Sequence, residues 1–196
     1  METPVPHPED FAHVRIIMGM VLGLSLARLV NGLTRFVQHP GSIPVYSVHI
    51  GWVIFLLISI MHFWWYEFHL SFVRAWTFPI YFFLIAYAMI FAALTALLFP
   101  DQMNEYKGFE DYFESRKRWF FGLLSITFLV DLVDTFVKGG DYFRSLGAEY
   151  PIRQVIFFGL AIVAMFLKSK RHQLWLVGLA IVYQVSWILR TYDFLQ

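Results

Sequence analysis

The 196-residue chain is 59% hydrophobic and only 15% charged, with a mean hydropathy of +0.60. Soluble domains carry about 25% charged residues, so this composition excludes an ordinary water-soluble domain and points to an all-α, polytopic membrane protein. A net charge of +1 offers no basis for binding nucleic acid, and the lack of cysteine excludes disulfides, thiolate metal sites and thiol chemistry.

The opening METPVPHPEDFAHVR is rich in proline and acidic residues and lacks the basic start of a secretory signal, so the first apolar block is expected to be retained, with Asp10 as its N-cap. Six blocks are long enough to cross about 30 Å of hydrocarbon as helix, at approximately 12–37, 46–70, 75–99, 118–138, 152–168 and 173–191. The fifth is the shortest. The breaks QHPGSIP, FPDQMNEYKG, KGGDYFRSLGAEYP and KSKRH are rich in turn formers and charge. Between the third and fourth blocks, residues 101–117 form a charged linker in which Phe109, Tyr112 and Phe113 share one face, the pattern of an amphipathic surface helix.

The linker divides the chain into residues 1–100 and 118–196, each with three spans. RLVN at 28–31 is echoed by DLVD at 131–134, and VIF at 53–55 by VIF at 155–157; Trp76 and Trp175 each open a third span. These correspondences predict a 3+3 repeat, and an odd number of spans per unit would invert the second relative to the first.

The charges inside the apolar blocks carry the functional expectation. Positions 28, 31, 32 and 35 share one face of the first helix, and 131, 134, 135 and 138 repeat that spacing on the fourth. Ionisable groups at such depth need a partner or water. Arg28 and Asp131 are therefore expected to pair between antiparallel helices across a depth difference of roughly 8 Å, with Asn31 and Asp134 completing an inward polar site. Arg35, Thr135, Glu67 and Gln184 are secondary candidates for the same site. The competing expectation is that these side chains reach opposite headgroup layers.

The expected function is a channel or transporter for an ion or small polar solute, working as a homo-oligomer without a cofactor. One alternative is a haem- or divalent-metal-binding redox protein using His13, His62 and His69, which are predicted near one membrane face. Another is a non-transporting partner or sensor subunit, using the Gly19, Gly23 and Ala27 face as its contact. No phosphate loop, HExxH, nucleophile elbow or TVGYG filter is present, so no enzyme class is indicated. Eight basic residues fall on the side of the 101–117 linker and six, Arg74 among them, on the other. That bias predicts an inner-membrane protein with both termini outside the cytoplasm.

Overall fold

The computed structural model describes residues 8–39, 41, 44–73 and 76–192, all of whose regular structure is helical. Arg74, the expected start of the third span at 75, and Pro40 lie outside the described residues. The long helices are α1 (Pro8–Gln38), α2 (Ser47–Tyr66), α3 (Phe78–Leu98), α4 (Phe109–Lys138) and α7 (Lys170–Thr191). A short helix, α5 (Gly140–Ser145), and a 16-residue helix, α6 (Glu149–Ala164), lie between α4 and α7. A 3-10 segment, Glu67–Phe72, continues α2.

Among the described residues five helices are long and apolar enough to cross a membrane: α1, α2 with its 3-10 extension, α3, α4 and α7. Their outward faces are apolar where a soluble protein would be polar; Leu24 is 75% and Val182 68% exposed. At about 24 Å, α6 falls short of the hydrocarbon thickness, so six spans are not confirmed.

Local chemistry sets the helix ends. Pro79 occupies the first turn of α3, where its missing donor costs nothing. Asp10, the expected N-cap, falls within the range of α1. The fourth helix starts at Phe109, not 118, because Phe109, Tyr112 and Phe113 bury against the core while Glu110 and Asp111 face the helix dipole favourably. The expected surface helix is thus the first turns of α4. Gly139, at φ +125°, ends that helix in a conformation that side chains resist.

The closest helix pairs are α4 with α6, α1 with α3 and α2 with α7, and α3 also packs on α4. Gly51 admits Val177 of α7; a Cβ there would lie 2.8 Å from the valine side chain. Gly32 lies under the Phe99 ring, which would be 2.4 Å from a Cβ. The inverted repeat is not confirmed, since α1 packs chiefly on the third helix of its half and α4 on the next helix of its own.

The bundle has two ends. The loop end carries residues 39, 41, 44–46, 99–108 and 165–169. The other end, here the α5 end, carries the 3-10 segment and α5.

Candidate functional site

The charged faces of α1 and α4 do not meet. Arg28 Nε donates to the Phe99 carbonyl at 3.1 Å, and its terminal nitrogen pairs with Asp101. Asn31 and Arg35 are exposed at the same loop end. Asp131 lies near the α5 end, and α3 packs on both α1 and α4. The expected Arg28–Asp131 pair is therefore corrected. Its physical reason is length: α4 has 30 residues, so Arg28 and Asp131 lie about 20 Å apart in depth, beyond the reach of arginine.

The α4 face does turn inward, as expected of buried charge. Asp131 receives hydrogen bonds from three neutral donors: Tyr87 Oη of α3 at 3.0 Å, Tyr150 Oη of α6 at 2.6 Å, and the Gln154 amide of α6. Thr135, fully buried, donates to the Asp131 carbonyl at 2.9 Å and meets Tyr66 Oη at 2.8 Å. One turn further, Lys138 binds Glu67 Oε1 at 2.7 Å and also Asp134, with its Nζ 3.8 Å over the Tyr66 ring. Glu67, Thr135, Asp131 and Asp134 thus belong to one network, which Arg28, Asn31 and Arg35 do not join.

Opposite Asp131, the guanidinium of Arg153 lies 5.3 Å from the Trp187 ring centre and 5.4 Å from that of Phe157, and it donates to Gln184 Oε1. The Gln184 amide then faces His62 Nδ1 at 3.4 Å, and His62 Nε2 faces Tyr192 Oη at 3.3 Å. Asp131, Arg153, Gln154, Gln184 and His62 line a cavity of about 50 Å³. That is room for a few water molecules or one small ion. Trp187 also lines a wider vestibule of about 470 Å³ at the α5 end, bordered by His69, Tyr142, Glu149, Arg190 and Tyr192. Burial raises the Tyr142 hydroxyl above its ordinary range, so it stays a neutral donor there. At its inner end the cavity meets Phe55, Phe63, Phe91 and Phe128.

Charge and hydrogen-bond capacity are unbalanced here. Asp131 and Arg153 are the charged groups lining the cavity, while in the adjoining cluster Glu67 and Asp134 share the single cation Lys138, so together three carboxylates stand against two cations. At the cavity Gln154 Oε1 and Arg153 Nε have no partner, and in the adjoining cluster the acceptors Glu67 Oε2 and Asp134 Oδ1 have none either. The arrangement therefore favours a ligand that is positively charged or donates hydrogen bonds.

The histidines do not converge. His13 is exposed on α1, His62 faces the cavity, and His69 stacks on Tyr142 at 4.1 Å between ring centres. Among the described residues no group of three metal-ligating side chains comes together. The small-residue face of α1 is likewise divided: Gly19 meets Trp64, while Gly23 has open space.

Tyr150, Arg153 and Gln154 were not expected at the site, because residues 138–151 read as a loop and Arg153 as a headgroup charge. A signal for them exists. Positions 150, 153, 154 and 157 have the same i, i+3, i+4, i+7 spacing as the α4 stripe, and all four are buried. No family model, curated protein or solved structure matches the chain.

Proposed function

We propose that the protein is a membrane transporter for a small cation, which enters from the α5 end and is held beside Asp131. The observation that carries this reading is the Asp131 carboxylate. It sits beside a cavity inside the bundle, is held by three neutral donors, and forms no ion pair with Arg153 across from it. A carboxylate of purely structural use would be matched by a cation, because an unmatched one is costly at this depth. The excess of acceptors over donors selects a cation over an anion. The aromatic inner end favours a carrier that must rearrange over an open pore.

In this reading α6 is a sixth, short span whose polar start is sheltered by α4 and α7, and both termini lie on the α5 side. Charge bias makes that side non-cytoplasmic. A cavity of this size suits one bare or partly hydrated ion, and oligomers would place several such sites side by side. The closed inner end also fits the second reading, a sensor subunit that binds without transporting.

The test is flux in proteoliposomes with H⁺, Na⁺, K⁺ and Cl⁻, comparing parent with Asp131→Asn, which preserves shape and removes charge. Cation flux is expected to fall by at least about tenfold in the variant. Chloride flux, or cation flux equal in both proteins, would reject the proposal. Cation binding without flux would favour the sensor.

A further inference from the structure

We infer that the Glu67–Lys138–Asp134 cluster holds one exchangeable proton, shared by its two carboxyl groups, and that this proton is coupled to cation occupancy beside Asp131. The coupling rests on the transport reading; the proton site does not.

The side chains of Lys138 and Asp134 are 0% exposed and that of Glu67 is 6% exposed. Two carboxyl oxygens bonded to the same ammonium nitrogen lie within roughly 5–6 Å of each other. With both ionised, the cluster would bury one uncompensated negative charge, which burial strongly disfavours. A single proton makes it neutral.

Hydrogen-bond capacity gives the same count independently. Lysine has three N–H donors. One goes to Glu67, one to Asp134, and the ammonium lies on the Tyr66 ring face. None remains for Glu67 Oε2 or Asp134 Oδ1, both buried without partners. Glu67 and Asp134 stand within hydrogen-bond reach of each other, so a proton on one of their oxygens supplies the donor that this contact otherwise lacks. The Lys138 ammonium is already bonded to both carboxyl groups, and among the described residues no three metal-ligating side chains converge here.

Two further cations lie nearby, Arg153 and Arg15, but neither forms an ion pair with Glu67 or Asp134; Tyr87 of α3 and Tyr192 also face the cluster. From α2 the neighbours are His62 and Tyr66, and from the 3-10 segment His69. From α4 comes Asp131, from α5 Tyr142, and from α6 Tyr150 and Arg153. Arg15 of α1 borders the same small cavity as Glu67, with its guanidinium 4.6 Å from the Phe68 ring centre. The described ion pairs of Glu67 and Asp134 are to Lys138 alone. On release an O–H bond breaks, the proton passes to vestibule water, and the cluster becomes singly negative. The Tyr66–Thr135–Asp131 hydrogen bonds link that change to the cavity. A cation beside Asp131 is favoured when the proton has left, as antiport requires.

Infrared spectroscopy of the full-length protein in nanodiscs at neutral pH, without gradient or added solute, tests the site. The parent should show the carbonyl stretch of a neutral carboxylic acid, shifted in D₂O. Glu67→Gln and Asp134→Asn should each lose it, since each leaves one carboxylate matched to Lys138. Asp131→Asn should keep it. No such band in the parent, or a band lost only with Asp131→Asn, overturns the assignment. For the coupling, parent flux should change about tenfold or more between mildly acidic and mildly alkaline pH, and Glu67→Gln should flatten that profile. An equally steep profile in the variant overturns the coupling. The predicted band without any flux rejects transport and leaves the proton site standing.

Discussion

Both ends of the bundle bury charged side chains, but they use them differently. At the loop end Arg28, Lys117 and His49 each meet a carbonyl at or just past the end of a helix. Arg28 reaches Phe99, Lys117 reaches Leu167 at 2.6 Å, and the His49 ring reaches Leu98 at 2.8 Å. Tyr112 donates to the Leu97 carbonyl at 2.8 Å, and Glu114 binds Lys117, Tyr46 and Gln173. These contacts satisfy the carbonyls that every helix leaves orphaned at its C-terminus. Two buried polar atoms there, His49 Nδ1 and Gln173 Oε1, lack a partner, and neither belongs to a carboxylate. At the α5 end the polar groups point at one another and at a cavity, with acceptors left over. Surplus that the fold does not need marks the end where a ligand is to be sought.

The largest difference between the ends should appear on removing a cation. Lys138→Met strands two buried carboxyl groups, and breaking a buried pair costs about 3–5 kcal/mol, so folded yield and melting temperature in detergent should fall sharply. Arg28→Ala removes a pair whose side chains are 34% and 91% exposed, and should cost under about 1 kcal/mol by the same measurement. Equal losses would erase the distinction between the ends.

A smaller effect sharpens the loop end alone. Gly32→Ala forces the Phe99 ring off the helix that Arg28 ties to it, an overpacking cost of about 1–3 kcal/mol. Gly23→Ala meets nothing within 4 Å and should leave the melting temperature unchanged.

Much of the fold is legible in the residues. The existence and apolarity of α1, α2, α3, α4 and α7 follow from hydropathy, as do most of the breaks. The inward turn of Asp131, Asp134 and Thr135 follows from the cost of exposing them to lipid. The partner of that face does not follow. Hydropathy gives each helix a depth only to within its own uncertain ends, and α4 gained nine residues when Phe109 and Phe113 proved to be core. That lengthening moved Arg28 and Asp131 out of reach. Which helices are neighbours is decided by close contacts such as Val177 on Gly51, which one sequence does not reveal. The polar face of α6 is short and falls at a loop boundary, where Arg153 reads as a headgroup charge.

The central claim is that the Asp131 cavity is wet and open to the α5 side only. The chain has no native cysteine, so a single Ser59→Cys, at a cavity-lining position on α2, can be probed in oriented vesicles with the silver ion, a charged thiol reagent small enough for the cavity. Ser145→Cys at the vestibule and Glu105→Cys at the loop end report each side. Ser59→Cys should label from the same side as Ser145→Cys. Labelling from the Glu105 side, or from neither side while both reporters react, would contradict it.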